Sequence, residues 1–245
     1  MRKGDVMRAR DFRQAARDVL RGRWFIAIVA AALAMMLGGV NGSSFSFTFD
    51  IPIPDEEMTP DNIESVAATI REGNIGALVP ILIGLGAILA FSLVISLVIG
   101  SAVSIGYSKF NLNLVDGAEP EIKTLFAHFR QVATAIWVRL LVVFRVFIGL
   151  CFFIVPGFII AYKYAMVYFV MAEHPEFTAK EVLRESARIM KGRKWRYFCL
   201  WLSFIGWDIL AILTFGLGLY FVVPYQQAAS AVFYRNAKRM ADFYI

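Results

Sequence analysis

Long apolar stretches separated by short charged segments run through most of the sequence. A membrane-spanning helix needs roughly 20 apolar residues to cross about 30 Å of hydrocarbon. Zones that are long enough and carry few charges lie at 24–40, 75–106, 132–172 and 197–234. The last two zones each have room for two helices, because Pro156-Gly157 and the run TFGLGL that begins at Thr214 are typical helix breaks. The pattern therefore predicts six spans.

The predicted architecture is an all-α, polytopic membrane protein with a single membrane domain over residues 1–245. Two amphipathic interfacial helices accompany about six transmembrane (TM) helices. In chain order the segments are a basic cytoplasmic helix (1–23), TM1 (24–40), an external acidic loop (41–76), TM2 (77–103), a cytoplasmic connection (107–130), TM3 (132–155), TM4 (157–172), a second amphipathic cytoplasmic helix (173–196), TM5 (197–214), TM6 (219–235) and a tail (236–245). Within the external loop, Thr59-Pro60 is predicted to begin a short amphipathic helix.

Composition and charge indicate the class of the protein and its orientation. The chain is 59% hydrophobic and 18% charged, whereas soluble domains are about half apolar and a quarter charged. With six spans, every cation-rich segment falls on one side of the membrane, and that side holds 21 of the 25 Lys and Arg residues. We expect it to be the inner side of a bacterial cytoplasmic membrane, with both termini cytoplasmic. These cations flank membrane helices, so the basic pI of about 9.4 does not indicate nucleic-acid binding.

Four charged residues lie well inside the predicted spans, where charge is costly and usually faces the interior of the helix bundle. One of them, Arg139, is within reach of the cytoplasmic interface. Lys163 and Asp208 each lie about seven residues, or roughly 10 Å, from the outer turns, and Arg145 is nearer the midplane. We expect Asp208 to pair with Lys163 or, as second choice, with Arg145. Two interpretations stay open: a polar pathway or headgroup site for an anionic substrate, and a structural ion pair that fixes helix register.

Two charged segments resemble each other, and each precedes a predicted span. They read AARDVLRGRWF (15–25) and SARIMKGRKWRYF (186–198). Thr178 to Glu181 has the form of a capping box, which predicts that a helix begins there. Helical spacing gives each segment an apolar stripe, formed by Phe12, Ala16, Val19 and Leu20 in the first and by Val182, Leu183, Ala187 and Met190 in the second.

Helices of this kind lie in the membrane interface with their cations toward anionic lipid. On that basis, the residues expected to contact anionic headgroups are Arg21, Arg23, Trp24, Lys191, Arg193, Lys194 and Trp195. The alternative is that the two segments anchor and orient the spans and have no further role.

The sequence carries no catalytic, metal-binding or cofactor-binding pattern. His128 and His174 fall on predicted cytoplasmic connections, and no hydrolase, metalloprotease, phosphate-loop or dinucleotide fingerprint occurs. Cys151 and Cys199 are expected in opposite leaflets, too far apart for a disulfide, whose Cα atoms approach within about 7 Å. We therefore expect a protein that is not an enzyme and that uses neither a metal nor a cofactor.

Several blocks of the chain are recognisable as a group. They are HPEFTAKEVLRES, MKGRKW, LSFIGW, LTFGLG and PY followed by AVFY, with SIGYSKFNLNLVDGAEP, IVPGFIIAYKYAM and ARDVLRGRW upstream. Together these blocks closely resemble the bacterial integral-membrane family of domain of unknown function 975. The resemblance covers nearly the whole chain except the external loop. It implies a multi-span bacterial membrane protein without an assigned activity, and it brings no catalytic residues.

Two functions fit these features. The first is a non-enzymatic membrane scaffold or accessory protein that contacts anionic lipid and organises lipids or partner proteins. The second is a small permease or lipid-handling transporter with a cationic intramembrane site at Arg145, Lys163 and Asp208. A hydrated cavity that reaches all three side chains would favour the second function, and a dry bundle packed with small residues would favour the first.

Overall fold

The structure is a computed structural model that describes residues 7–38, 75–119, 121–126, 131–152, 154–214 and 216–243. Regular structure in these ranges is entirely helical, as predicted. The helices are α1 (Ala9–Leu20), α2 (Trp24–Met36), α3 (Ile75–Val115), α4 (Val132–Phe152), α5 (Ile154–Lys163), α6 (Val167–Glu173), α7 (Ala179–Ile189), α8 (Lys194–Leu202), α9 (Ile205–Leu213) and α10 (Leu219–Phe243), with a 3-10 helix (Ile122–Leu125) between α3 and α4.

The chain divides into two units. One unit is Ser46–Leu97, of which the structure describes the helical backbone from residue 75 onward. The other comprises Met1–Phe45 and Val98–Ile245, and it contains the core and the candidate sites. The predicted external loop, including its short helix from Thr59-Pro60, lies outside the described residues except at its last two positions.

Three helical stretches in the described ranges are long and apolar enough to cross a membrane, namely Val132–Cys151, Val155–Glu173 and Lys194–Leu213. There is a fourth if α1 and α2, which are bent by 104° at their junction, count as one span. Large apolar side chains face outward on these stretches; Phe147 is 62% exposed and Leu213 is 72% exposed. Exposed apolar surface of this kind is typical of a lipid or protein contact, so the helices are compatible with a membrane protein. The count of six spans stays a prediction.

The helix breaks follow the sequence signals with one correction. The predicted break at TFGLGL is confirmed, because α9 ends at Leu213 and α10 begins at Leu219. The predicted end of a helix at Pro156 is wrong, because α4 ends at Phe152 and α5 is already under way two residues before the proline. Pro156 therefore occupies the first turn of α5, where its missing N–H has no intrahelical partner to lose.

Three predicted segment boundaries also differ from the structure. The predicted connection from residue 107 begins as helix, since α3 continues to Val115 with Phe110 and Leu112 buried. TM4 is interrupted at 164–166, between α5 and α6, and TM5 at 203–204, between α8 and α9. At both places the helix is interrupted although the apolar sequence continues. Packing, and not a local sequence signal, therefore decides where the helix bends.

Helices α4 and α5 form a tight antiparallel hairpin because glycines face each other across it. A Cβ atom on Gly149 would lie 3.0 Å from the Cα of Gly157, and one on Gly157 would lie 2.6 Å from the Cγ of Leu150. Residues without a side chain let two helix backbones approach closely. The antiparallel register brings Arg145 of α4 beside Tyr164, just past the end of α5.

Helix α10 is the centre of the core. Every residue from 222 to 234 is buried, whereas a surface helix buries one face. Phe233 packs on Phe12 of α1 and on Tyr197 of α8, with ring centroids 5.2 and 4.9 Å apart. The Tyr225 hydroxyl, two turns earlier, accepts a hydrogen bond from Nε of Arg17 at 3.0 Å. The helices that flank α10 are thereby fixed at two levels.

The apolar stripes of the two charged segments pack against the protein itself. Phe12, Ala16 and Leu20 are at most 2% exposed, and Val182 and Met190 are fully buried. This burial corrects the expectation that these stripes face the membrane interface. The stripes pack against protein because α10 and α6 present apolar surface to the same buried cluster.

Ion pairs join the ends of α3 and α6 to α10. Arg235 pairs with Asp116, and its Nη1 lies 2.7 Å from Oε1 of Glu173. The Nζ of Lys238 lies 2.7 Å from the other carboxylate oxygen of Glu173, and the Tyr234 hydroxyl donates to that same oxygen at 2.6 Å. Glu173 therefore accepts hydrogen bonds from three α10 side chains, each in a different direction.

We predict that Glu173→Gln lowers stability by about 1–3 kcal/mol, because an amide replaces an acceptor that faces two cations. The measurement is the thermal unfolding midpoint of the detergent-purified full chain. Glu176→Gln is the matched control, since the Glu176 side chain is 63% exposed and bonds to His174, and its effect should stay within about 0.5 kcal/mol. Equal midpoints for the two variants would contradict a structural role for Glu173.

Candidate functional site

A pocket of about 290 Å³ lies between α4, α5 and α7, and four of the residues that line it are basic. These residues are Arg145, Lys163, Lys180 and Arg184, and the lining is completed by Tyr164, Leu183 and Ala187. We call it the cationic pocket. It contains two of the four charged residues that the sequence places well inside the membrane spans.

Tyr164 holds two of the pocket cations. Nη1 of Arg145 donates a hydrogen bond to the Tyr164 hydroxyl at 3.1 Å, and the guanidinium carbon lies 5.5 Å from the centroid of the ring. Nζ of Lys163 lies 5.3 Å from the same centroid. The ring face attracts both cations, so two like charges are held close to one buried side chain.

Helix α7 supplies the other two pocket cations. Lys180, Arg184 and Ala187 follow one another at intervals of four and three residues, which places them on one helix face. The Oγ of Ser186 donates to the carbonyl of Lys163 at 3.2 Å, tying α7 to the end of α5. This contact brings the charged face of α7 against the α4–α5 hairpin.

Among the described residues, the cations of the pocket have no acidic ion-pair partner, although Glu181 attracts Arg184 at longer range. In the part of the chain that the structure describes, none of the pocket's four basic residues forms an ion pair with an acidic side chain. The nearest acid along α7, Glu181, accepts the backbone N–H of Thr178 at 2.8 Å, as the predicted capping box requires. That hydrogen bond lowers the pKa of Glu181. The carboxylate therefore serves the helix start and does not line the pocket.

Asp208 is separated from the cations predicted to pair with it. Its Oδ1 accepts a hydrogen bond from Nε2 of Gln226 at 2.7 Å. Within the described ranges Asp208 forms no ion pair, so the predicted pairing with Lys163 or Arg145 is wrong. The carboxylate on α9 faces α10 because those two helices pack on each other, away from the α4–α5 hairpin.

Gln226 also belongs to a short buried polar chain through its backbone carbonyl. Ser230 donates to the backbone carbonyl of Gln226 at 2.9 Å, and its Oγ lies 3.2 Å from the Tyr197 hydroxyl. Gln226 and Ser230 are 8% and 2% exposed. Asp208 thus ends a hydrogen-bonded chain that joins α8, α9 and α10.

The two similar charged segments fold alike. A turn at Gly22 (φ 80°) joins α1 to α2, and a turn at Gly192 (φ 74°) joins α7 to α8. Positive φ at both turns favours glycine. The N–H of Arg23 donates to the carbonyl of Leu20 at 2.9 Å, and the equivalent N–H of Arg193 donates to residue 190 at 3.1 Å. We call residues 9–34 and 179–204 the two copies of the repeated unit.

Burial repeats together with the backbone. At a constant spacing of 170 residues, the buried residues Phe12, Ala16, Leu20, Ala27, Ala30 and Ala34 of the first copy correspond to the buried residues Val182, Ser186, Met190, Tyr197, Leu200 and Phe204 of the second. Both copies also reach Tyr225 of α10, whose ring centroid lies 6.4 Å from that of Trp24 and 5.1 Å from that of Phe204. The similarity seen in the sequence therefore extends to the packing.

Each copy presents an aromatic side chain to the outside at the equivalent position. Phe25 is 80% exposed and Trp195 is 72% exposed. Of the predicted lipid contacts, Arg21 and Lys191 are exposed next to these rings, and Lys194 is partly exposed. Each turn thus combines an outward aromatic ring with free basic charge.

Three other predicted lipid contacts serve the fold. Trp24 packs against the ring of Tyr225. Nη1 of Arg23 donates to the carbonyl of Ala118 at 3.0 Å, and Nη1 of Arg193 donates to the carbonyl of Ile189 at 3.0 Å. These side chains brace the two turns, and Phe25 takes the outward position that the sequence analysis assigns to Trp24.

Sequence reasoning missed Lys180 and Arg184, which complete the cationic pocket. Their spacing of four residues on a capped helix places them on one face, which is a visible signal. Their partner elements, however, lie about 20 to 40 residues earlier in the chain. Tertiary packing is therefore what brings α7 to Arg145, and the spacing of residues in the sequence does not reveal it.

A family model matches part of the chain, and it is the model of the family that the sequence resembles. Residues 146–241 match the model described as Protein of unknown function (DUF975). The matched region runs from the middle of α4 through α5, the second copy of the repeated unit and most of α10. It is narrower than the resemblance drawn from the sequence, which also includes upstream blocks. No curated protein and no solved structure matches the chain.

We predict that Gln226→Leu destabilises the protein more than Asp208→Asn does. Leucine removes the donor and leaves the Asp208 carboxylate partly buried without a partner, which costs about 1–3 kcal/mol. Asparagine keeps an acceptor oxygen for Gln226 and should change stability by less than about 1 kcal/mol. Thermal unfolding midpoints in detergent test the order. A larger loss for Asp208→Asn would show that Asp208 pairs with a cation after all.

Proposed function

We propose that this chain is a non-enzymatic, multi-pass protein of a bacterial cytoplasmic membrane, with both termini cytoplasmic. Its role is that of a scaffold or accessory protein that contacts anionic lipid through the two turns of the repeated unit. The observation that carries the proposal is the equivalent exposure of Phe25 and Trp195, each next to free basic charge.

The physical basis is the combination of aromatic rings and cations. Aromatic rings favour the headgroup level of a bilayer, and each Lys or Arg near an anionic leaflet contributes about 1 kcal/mol of attraction. Two turns on one rigid body also bind as a pair, so the second contact is intramolecular once the first has formed. This pairing gives the duplicated fold a function beyond holding the spans in place.

The alternative function, a small permease or lipid-handling transporter, has weaker support. It relies on Arg145, Lys163 and Asp208 acting together, and Asp208 bonds to Gln226 instead. The cationic pocket, which keeps the two basic members of that group, is the observation that still favours a role in handling lipid.

The double variant Arg21→Ala/Lys191→Ala tests the lipid contact. Both side chains are exposed, so the fold should be unaffected. Loss of two cations near an anionic surface should weaken binding of phosphatidylglycerol by roughly 30-fold. The measurement is the rise in unfolding midpoint of the detergent-purified full chain on adding phosphatidylglycerol, compared with phosphatidylcholine.

The matched control is Arg21→Lys/Lys191→Arg, which keeps the charge and should keep the response to phosphatidylglycerol. High salt should reduce that response, because charges on an exposed surface are screened. An equal rise with both lipids, or an unchanged response in the double alanine variant, would contradict the proposed contact.

Cysteine labelling tests the orientation. In a Cys151→Ala/Cys199→Ala background, we predict that Leu217→Cys reacts with a membrane-impermeant maleimide on intact cells, because residue 217 is 69% exposed and follows an outward-running span. Lys191→Cys, at a turn proposed to be cytoplasmic, should react after permeabilisation and not before. The reverse pattern would overturn the proposed topology.

A further inference from the structure

We propose that the cationic pocket is a binding site for a phosphate group, and that an anionic lipid headgroup supplies it. The pocket uses Arg145, Lys163, Lys180 and Arg184, none of which belongs to the exposed turns of the proposed lipid contact. The proposed site and the proposed lipid contact can therefore be tested and contradicted independently of each other.

The first argument is that, among the described residues, no acid pairs directly with the cations of the pocket. Other basic residues near α7 and α10 are paired: Arg188 bonds to Glu185 and Asp242, and Arg235 pairs with Asp116 and Glu173. The pocket residues form no such pair within the described ranges.

The second argument is that the fold holds these charges together at a cost. Arg145 and Lys163 both lie within 5.5 Å of the centroid of the Tyr164 ring. Lys180 and Arg184 are like charges at a spacing of four on one helix, which is destabilising. Bringing the two pairs to one pocket adds further repulsion. An anion in the pocket would turn this repulsion into attraction.

The donor set fits phosphate. Guanidinium groups bind phosphate oxygens through two parallel hydrogen bonds, and Lys binds phosphate as a point charge. Arg145 donates one N–H to the Tyr164 hydroxyl. This hydrogen bond fixes the plane of the guanidinium group and leaves its other N–H groups available. A volume of about 290 Å³ is at the lower end of the range for ligand pockets, so it suits a headgroup better than a large polar molecule.

The surroundings favour a lipid as the source of the phosphate. Arg145 lies on α4 within a stretch that could cross a membrane. Phe144, Phe147 and Ile148 on the same helix are 62%, 62% and 40% exposed. An acyl chain can follow these side chains while its phosphate occupies the pocket, whereas Lys180 and Arg184 approach from the charged helix α7.

The test uses the full chain in detergent with a short-chain phosphatidic acid as probe, read by native mass spectrometry and calorimetry. We expect one saturable site in the pocket, in addition to the contact proposed at the two turns. Lys180→Ala/Arg184→Ala should weaken binding by roughly 30-fold, because two exposed cations of the pocket are lost. The matched control, Arg10→Ala/Lys123→Ala, removes the same charge at two exposed positions outside both the pocket and the turns and should bind as the parent does. Lys180→Arg/Arg184→Lys should restore binding.

Two further probes identify the source. Inorganic phosphate should compete for the pocket more weakly than phosphatidic acid; equal affinity would keep the phosphate site but make soluble phosphate its ligand, overturning the lipid assignment. Short-chain phosphatidylcholine should not compete. Equal loss of phosphatidic acid binding in the pocket variant and the control variant would show diffuse attraction to basic surface and would overturn the site.

Discussion

The burial of α10 on all sides is the constraint on which the rest of the structure depends. Residues 222–234 are enclosed over more than three turns, so each level of the helix must find neighbours that match it. Ala228, Ala229 and Ala231 let flanking helices approach, and Gln226 and Ser230 pair their polar atoms within the bundle. A buried polar atom without a partner would be costly, so these hydrogen bonds fix how α8 and α9 are rotated about α10.

The two copies of the repeated unit supply the neighbours that α10 requires. Each copy places one aromatic ring near Phe233 and another near Tyr225 of α10, and buries its apolar stripe beside them. The turn between its two helices then emerges at the surface with a glycine at positive φ. Phe25 and Trp195 face outward although the residues around them in each copy are largely buried. Their exposure is therefore a property of the fold and not of a loose helix end.

Local signals in the sequence predicted local structure well. The capping box at Thr178, the break at TFGLGL and the all-helical architecture depend on neighbouring residues, and all three are confirmed. Pro156 was predicted to end a helix, but it lies in the first turn of the next one. The signal is ambiguous because proline is as compatible with the first turn of a helix as with its end. The Asp208 pairing failed for another reason: counting residues gives the depth of a side chain along a helix but not the direction in which it points.

The cations of α7 differ in the partners that they meet, and because those partners lie on distant segments of the chain, the sequence alone does not reveal the pocket. One face of this helix buries Val182 and Ile189 in the core, and Arg188 points toward Glu185 and Asp242. Those hydrogen bonds raise the pKa of Arg188, so this cation is committed to the fold. Lys180 and Arg184 instead line the pocket with two cations brought there by the α4–α5 hairpin. A helix that pairs one of its cations internally and directs two toward further positive charge is built to receive an anion from outside the chain.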